Sequence, residues 1–240
     1  MIFYRQLCPV RAMTFDLDDT LYDNKPVILE TEAKAMAWMH QNHPVSASRS
    51  NRWWHEVKRQ VLAEDSWLKN DVTAWRHRQI VTGLGLLGYS PLQAEKAAGE
   101  LIEQVLYYRS DFVVPQAAHQ VLETLSQAMP LVAITNGNVD VERIGLADYF
   151  ALVLKAGPDG YAKPHRALFD KATTFLGLPP SQVLHVGDHL VSDVQGAKNS
   201  GLSACWFNDQ SKNIIEQSRA TILPDVEVQD LQELVLLSEM

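Results

Sequence analysis

Cysteine is scarce in this 240-residue sequence, which contains only Cys8 and Cys205. Two cysteines so far apart lack metal-ligand spacing and form no disulfide framework, so a reducing compartment is the simplest setting. No apolar run approaches the length of a membrane span, and the first residues lack the apolar core of a signal peptide. We therefore expect a cytoplasmic protein without a membrane partner.

Positive charge is also in deficit, because 21 Lys and Arg residues face 29 Asp and Glu residues and leave a net charge of −8. Nucleic-acid binding needs a basic face, so we expect no nucleic-acid partner. An anionic substrate would have to be attracted by local charges. The length and the 46% hydrophobic content suit one large domain, or one domain carrying a smaller one.

What the sequence does contain is a short apolar run, residues 12–15, that ends in the acidic segment Asp16-Leu17-Asp18-Asp19-Thr20. Such a run is typical of a buried parallel strand, although a surface turn rich in Asp is the alternative. Asp16 and Asp18 would project to the same side of an extended chain. Two carboxylates about 4 Å apart repel by roughly 4 kcal/mol at an effective dielectric constant near 20. A cation or a shared proton must offset that repulsion.

The segment from about residue 25 to residue 108 has helical periodicity and no convincing strand. Its last helix has a strong start signal, with Ser90 as N-cap, Pro91 at the first helical position and Gln93 three residues after the cap. We predict an all-α, four-helix unit over residues 23–111. It would be inserted into a core formed by residues 1–22 and 112–240.

Beyond Val114, short apolar runs alternate with helical segments. This alternation predicts an α/β fold, a doubly wound parallel sheet with helices on both faces. Asp16, Thr135 and Asp188 each follow one of the predicted strands. Ligands of such folds bind at the carboxyl ends of the strands, so we expect these residues to share one crevice.

The residues of the predicted crevice suit a metal ion and a phosphate. Its acids are Asp16, Asp18, Asp188 and Asp193, and its donors are Thr135, Asn136 and Lys163. Carboxylate oxygens select Mg²⁺ or Ca²⁺ over soft metals, and an incomplete set that leaves room for water and a phosphate oxygen suits Mg²⁺. Hydroxyl, amide and ammonium donors are what a phosphoryl group requires.

These segments together resemble the haloacid dehalogenase (HAD) phosphohydrolases. The matching motifs, in the order of the family, are Asp16-Leu17-Asp18-Asp19-Thr20, Thr135-Asn136-Gly137, Lys163-Pro164, and Gly187-Asp188 with Asp193. The resemblance covers the whole sheet domain, and the helical insert resembles the C1-type cap of the family. It implies a Rossmann-like sheet of strand order 5-4-1-2-3, a Mg²⁺ cofactor and a cap that closes over a small phosphate ester.

The resemblance also implies a role for each matching residue. Asp16 would be the nucleophile that forms an aspartyl-phosphate, and Asp18 the general acid and base. The implied Mg²⁺ ligands are Asp16, the backbone carbonyl of Asp18, and Asp188, with Asp193 as an outer carboxylate. The implied phosphate-binding residues are Leu17, Asp18, Thr135, Asn136 and Lys163, of which Thr135 and Lys163 also count as catalytic.

A closer resemblance within the family is to bacterial phosphatases of flavin metabolism. It implies that the substrate is FMN, the phosphorylated ribitylaminouracil precursor of riboflavin, or both. In the insert, Trp75 with Arg76 and Arg78 would suit a flat heteroaromatic ring, by stacking and by guanidinium donors. The alternative is that this helix packs inward and its arginines are solvated.

Other functions remain open on the same scaffold. A HAD phosphatase of a sugar phosphate or a nucleotide would share every motif above. A haloacid dehalogenase would lack the acid at Asp18, and a non-enzymatic phospho-signalling domain would lack the large insert. We expect a monomer or a weak dimer. We interpret His185 as a core residue and leave His189 open between a donor to the site and a solvated side chain.

Overall fold

The computed structural model describes residues 1–216 and 221–238. Among these residues, seven strands form one sheet in the order β1-β7-β6-β5-β2-β3-β4. The strands are β1 (Ile2–Phe3), β2 (Ala12–Phe15), β3 (Leu131–Thr135), β4 (Leu152–Lys155), β5 (Val183–Gly187), β6 (Ser203–Phe207) and β7 (Val226–Val228). Only β1 pairs antiparallel, with β7. The five strands from β6 to β4 have the predicted order 5-4-1-2-3, which confirms the predicted fold class.

Strand β2 lies in the middle of the parallel strands and is buried on both faces. Met13 and Phe15 pack into the apolar cluster that also holds Leu122, whereas Ala12 packs into the opposite cluster with Phe169. The helices that cover these faces are α5 (Gln116–Ala128) and α8 (Glu233–Leu237) on one side and α6 (Ala167–Leu176) and α7 (Gly196–Asn199) on the other. The layers therefore follow from the near-continuous apolar runs of the strands.

The insert between β2 and α5 consists of four long helices. They are α1 (Asn24–Asn42), α2 (Asn51–Glu64), α3 (Val72–Leu86) and α4 (Pro91–Arg109), with short 3-10 turns at Pro44–Ser48 and Ser66–Asn70. Helix α4 begins with the predicted capping box between Ser90 and Gln93. The boundaries 22/23 and 111/112 remain a proposal. In the described residues, no helix is long and apolar enough to cross a bilayer.

The insert has an apolar core of its own, and Gly83 of α3 lies directly against it. The buried residues around which it is built include Met39, Trp54, Leu84 and Leu101. A Cβ at Gly83 would overlap the ring of Trp54, whereas the space beside a Cβ at Gly85 is open among the described atoms. The two glycines therefore form a matched pair within one helix.

We expect Gly83→Ala to lower the free energy of unfolding. Alanine gains about 1 kcal/mol over glycine inside a helix, but overpacking a core costs about 1–3 kcal/mol, so the net loss should reach about 2 kcal/mol. Gly85→Ala, the control, should raise the free energy of unfolding by up to about 1 kcal/mol because it gains propensity without a clash. Urea denaturation measures both, and equal effects of the two substitutions would contradict this packing.

Candidate active site

Three carboxylates meet at the carboxyl ends of the central strands. Asp16 follows β2 directly, Asp188 follows β5, and Asp193 lies in a π-helical turn (Leu190–Gln195) just after β5. One oxygen of each lies within 4.8 Å of the other two. The sheet thus gathers residues that are far apart in the sequence, as parallel strands ending at one edge should.

Lys163 lies buried between two of these acids. Its Nζ is 2.8 Å from Oδ1 of Asp16 and 2.7 Å from Oδ1 of Asp193. Burial alone would lower the pKa of Lys163, but the two carboxylates outweigh it and raise the pKa, so the side chain is an ammonium. Burial raises the pKa of Asp16 to about 8, although Lys163 opposes that rise. The ammonium therefore stabilises the ionised form of the residue predicted to be the nucleophile.

The loop after β3 holds Lys163 in position. The side-chain amide of Asn136 accepts the backbone N–H of Lys163 at 2.8 Å and donates to its carbonyl at 3.0 Å. The fully buried Thr135 accepts the N–H of Gly137 at its Oγ1, at 2.8 Å. Both hydrogen bonds of the Asn136 side chain described here hold the backbone of Lys163. Its role as a phosphate donor stays a prediction. The phosphate-binding roles of Thr135 and Leu17 also stay predictions.

Asp193 is held from behind by a buried histidine. His185 lies in β5, with Nε2 3.4 Å from Oδ1 of Asp193 and Nδ1 2.8 Å from the hydroxyl of Thr14. Burial lowers the pKa of His185, whereas Lys163 and His185 hold the pKa of Asp193 below its usual range against the effect of burial. The interpretation of His185 as a core residue agrees with its burial, and the structure adds its contact with Asp193.

His189 serves the turn that carries Asp193. Its Nδ1 accepts the N–H groups of Val191 and Ser192, at 3.2 and 3.0 Å, and its backbone N–H donates to Oδ2 of Asp193 at 3.0 Å. A histidine in the capping position therefore starts the π-helical turn, and such turns are frequent at functional sites. The side chain is exposed, which agrees with the solvated alternative, and the structure adds its capping contacts.

Asp18 lies apart from the three clustered carboxylates. Its Oδ1 accepts the hydroxyl of Tyr22 at 2.6 Å and pairs with the guanidinium of Arg109. Burial and the Asp18 carboxylate raise the pKa of Tyr22, so its hydroxyl remains a donor. Sequence reasoning missed both partners, because Arg109 appears in the sequence only as the basic end of an amphipathic helix.

Gly137 lies against Asp18. A Cβ at this position would overlap Oδ2 of Asp18 and would lie 3.2 Å from Oγ1 of Thr135. The close approach explains why the third residue of the Thr135-Asn136-Gly137 motif is glycine. It also shows that the Asp18 carboxylate lies beside the loop predicted to bind the phosphoryl group.

We expect Gly137→Ala to displace Asp18 and to lower kcat. General acid–base catalysis contributes about 10²–10⁴-fold, so a misplaced carboxylate should cost roughly tenfold to a hundredfold. Steady-state kinetics measure the loss, and circular dichroism checks the fold. Gly99→Ala in α4 is the control, because the space beside it is open among the described atoms and its activity should be unchanged. Unchanged kcat in Gly137→Ala would argue against a catalytic Asp18 in this position.

The three carboxylates fit a divalent cation. Burial, Asp193 and Asp19 raise the pKa of Asp188 to about 7. Three such acids within 4.8 Å repel one another, and a hard cation would remove that repulsion. The donors are oxygens of carboxylates and the set leaves positions for water, which suits Mg²⁺. Asp16, Asp188 and Asp193 would hold it, and participation of the Asp18 carbonyl stays a prediction.

Trp75 and Arg76, two of the residues predicted to bind the ring of the substrate, contact other residues of the insert. Arg76 forms an ion pair with Glu32, and the indole N–H of Trp75 donates to the carbonyl of Lys58 at 2.8 Å. Arg78 is exposed. The structure does not bring these side chains together with Asp16 and Lys163, and their substrate role stays a prediction.

A different part of the insert contacts the sheet domain. Asn70 accepts the N–H of Ala162 at 3.1 Å, and Thr73 accepts the side-chain amide of Asn138 at 3.0 Å. The ring of Trp67 lies edge-on to that of Tyr161, with 5.0 Å between centroids. A cavity of about 580 Å³ adjoins these contacts, lined by Lys69, Asn70, Tyr161, Ala162, Lys163, Pro164 and His165.

The comparison with known families agrees with this geometry. The sequence model of haloacid dehalogenase-like hydrolases matches residues 10–201. The chain belongs to the haloacid dehalogenase-like hydrolase family. The match spans all the strands that carry Asp16, Thr135, Asp188 and the loop of Lys163, so it confirms the resemblance of the four motifs.

Individual relatives cover nearly the whole chain. It is 40% identical over 237 residues to 5-amino-6-(5-phospho-D-ribitylamino)uracil phosphatase YigB of Escherichia coli, across 99% of this chain and all of that protein. It is 28% identical to a phosphoserine phosphatase of Thermus thermophilus, across 95% of this chain and 98% of that one. Of the solved structures, a 2-haloacid dehalogenase of Pseudomonas syringae is 36% identical with a TM-score of 0.90, across 95% of this chain and 97% of that one.

The chain is an enzyme of the phosphoric monoester hydrolase class. The relatives from Escherichia coli and Thermus thermophilus, which match nearly the whole chain, are both phosphatases. The 2-haloacid dehalogenase of Pseudomonas syringae has a similar fold, but a dehalogenase reaction does not require an acid at the position of Asp18. Here Asp18 is present and is held by two side chains. The family match, the relatives and the acid at Asp18 therefore all indicate a HAD phosphatase.

Proposed function

We propose that this enzyme is a Mg²⁺-dependent phosphatase that hydrolyses a small phosphate monoester through an aspartyl-phosphate on Asp16. The observation that carries the proposal is the buried contact of Lys163 with both Asp16 and Asp193 beside a third acid, Asp188. Lys163 favours the ionised, nucleophilic form of Asp16 against the effect of burial, and the ammonium is a suitable donor to phosphoryl oxygens.

The reaction follows in two displacements. An oxygen of Asp16 attacks phosphorus, the ester P–O bond breaks, and the departing oxygen takes a proton from Asp18. A water then loses a proton to Asp18 and attacks the phosphorus of the aspartyl-phosphate, which releases phosphate and restores Asp16. Lys163 stays charged and donates to the phosphoryl oxygens throughout. A bound Mg²⁺ would screen the repulsion between the Asp16 carboxylate and the phosphate dianion.

The substrate we propose is FMN, the phosphorylated ribitylaminouracil intermediate of riboflavin biosynthesis, or both. The 40% identity to a phosphatase named for that intermediate supports this choice. We place the organic part of the substrate in the cavity lined by Lys69, Tyr161 and Lys163, because it adjoins the catalytic lysine. Tyr161 and His165 have rings 4.4 Å apart there, and such a pair suits contact with a flat heteroaromatic ring.

A phosphate-release assay over a panel of metabolites tests the proposal directly. The panel contains FMN, the ribitylaminouracil phosphate, sugar phosphates, nucleoside monophosphates and phosphoserine, each with and without Mg²⁺. We expect the two flavin-pathway esters to have the highest kcat/KM. A sugar phosphate or a nucleotide at the top of the ranking would replace the substrate, and full activity without Mg²⁺ would contradict the mechanism.

We expect Lys69→Ala to raise KM for FMN by about tenfold, since the loss of one charge-assisted hydrogen bond costs roughly 1.5–3 kcal/mol at most. Its KM for a small aryl phosphate should change little, because that ester has no group to reach Lys69. Arg76→Ala is the matched comparison, because its guanidinium is paired with Glu32 within the insert. If Arg76→Ala has the larger effect on KM for FMN, the ring binds at the Trp75–Arg78 stretch instead.

A further inference from the structure

The two chain segments that join the insert to the sheet domain meet at Asp18. The outgoing segment carries Tyr22, and the returning segment begins at Arg109, the last residue of α4. Tyr22 also packs on Phe112 of the returning segment, with ring centroids 4.6 Å apart. Asp18 therefore accepts one hydrogen bond from each connection at the same oxygen, Oδ1.

The burial of Arg109 is unusual for a guanidinium. Its side chain is 2% exposed, although that of Asp18 is 20% exposed. Among the described residues, its Nη1 is buried and has no hydrogen-bond partner. A buried and only partly satisfied guanidinium is costly, and replacing a whole buried ion pair by apolar side chains is often neutral or stabilising. Packing alone does not account for arginine here.

We propose that Arg109 is a positioning residue for the carboxylate of Asp18, which it holds together with Tyr22. The inference rests on the proposed function, in which Asp18 is the acid and base. With the cap as in this structure, the two donors hold Oδ1 while Oδ2 lies against Gly137, beside Thr135.

The test compares kcat/KM for two kinds of ester in the full-length enzyme with Mg²⁺. An alkyl phosphate needs a proton on its departing oxygen, whereas p-nitrophenyl phosphate has a good leaving group and needs it little. Because kcat/KM extends only to the first irreversible step, hydrolysis of the phosphoenzyme does not enter. Arg109→Met should lower kcat/KM roughly tenfold to a hundredfold for the alkyl phosphate, a part of the 10²–10⁴-fold contribution of an acid, and less than about threefold for p-nitrophenyl phosphate.

Three further variants make the result specific. Arg109→Lys should retain part of the kcat/KM that Arg109→Met loses for the alkyl phosphate. Tyr22→Phe should also lower kcat/KM more for the alkyl phosphate than for p-nitrophenyl phosphate, but by a smaller factor than Arg109→Met. In an Asp18→Asn background, Arg109→Met should have no further effect on the alkyl phosphate, since the two residues act as one unit. Arg52→Met removes an exposed guanidinium of α2 that pairs with Glu56, and it should match the wild type for both esters.

The outcomes separate this inference from the proposed function. If Asp18→Asn retains wild-type kcat/KM for the alkyl phosphate, the acid is assigned wrongly and both fail. If Asp18→Asn is impaired but Arg109→Met is not, only the positioning role fails. Equal losses for both esters, persisting in the Asp18→Asn background, would mean that Arg109 binds substrate and would overturn the proposal. Thermal denaturation of Arg109→Met should show a folded protein with a lower Tm, because the Asp18 carboxylate loses its cation, so the kinetics are measured well below that Tm.

Discussion

Asp16→Asn should abolish turnover and should yield no phosphoenzyme. The amide keeps the shape of the side chain but is no nucleophile, so the loss should be on the order of 10⁴–10⁶-fold, as for other covalent catalysts that lose their nucleophile. Lys163 retains Asp193 as a partner at 2.7 Å, so the site should remain folded. Rapid acid quench and intact mass measurement of the protein with substrate would reveal a phosphorylated species.

Asp18→Asn is the informative counterpart, because it leaves the nucleophile in place. Formation of the aspartyl-phosphate from p-nitrophenyl phosphate should continue, while its hydrolysis slows by about 10²–10⁴-fold for want of a base. The quenched protein should then carry one phosphoryl group. Asp170→Asn, an exposed acid that pairs with Arg166, is the control and should behave as the wild type. Equal phosphoenzyme yields from the Asp16 and Asp18 variants would contradict the division of roles.

The sheet and the clustered acids could be predicted because each depends on local patterns that the topology then combines. The apolar runs specify β2 to β6, and an acid or a threonine directly after a strand necessarily lies at the edge where ligands bind. The strands β1 and β7, at one end of the sheet, have two and three residues, too few to show a period. Their pairing brings together Ile2 and Glu227, and nothing in either segment indicates the other.

The partners of Asp18 could not be predicted, for a different reason. Arg109 reaches Asp18 only because four helices of the insert return the chain to its starting point, so the contact depends on helix lengths and packing angles. The same holds for the surface of the insert that faces the sheet domain. Trp75 and Arg76 have the right chemistry for a ring, but the rotation of α3 directs Arg76 to Glu32 and the Trp75 indole to Lys58. The contacts with the sheet domain come instead from Asn70 in the preceding turn and from Thr73 at the start of α3.

Removal of divalent metal should abolish phosphatase activity, and Mg²⁺ should restore it. The physical reason is the cluster of Asp16, Asp188 and Asp193, whose carboxylate oxygens lie within 4.8 Å of one another. Among the described residues, the ammonium of Lys163 is the one cation in contact with this cluster, so the three negative charges are only partly balanced. Activity after treatment with EDTA and after readdition of Mg²⁺ gives the first measurement. Persistent full activity in metal-free enzyme would exclude a metal-assisted reaction.

Stability gives a second measurement that does not depend on catalysis. Mg²⁺ binds the folded site and should raise Tm in a concentration-dependent way. Asp188→Asn should remove most of that rise while leaving the metal-free protein as stable as the wild type or more so, because one repelling charge is gone. Asp209→Asn replaces an exposed acid near Asp188 and should keep the wild-type response to Mg²⁺. A Mg²⁺ response that survives in Asp188→Asn would place the metal elsewhere.

The pH dependence of both effects has a definite sign. The pKa of Asp188 in the folded, metal-free protein is raised to about 7, so folding favours its protonated form. Relative to Asp188→Asn, the metal-free wild type should lose stability as the pH rises from about 4, where an unfolded Asp titrates, to about 7. Mg²⁺ must displace that proton and the proton on Asp16, whose pKa is raised to about 8, so its stabilising effect should grow from about pH 4 to about pH 8 and level off above it. A Mg²⁺-induced shift in Tm that is as large at pH 5 as at pH 8 would show that Asp188 does not bind the ion.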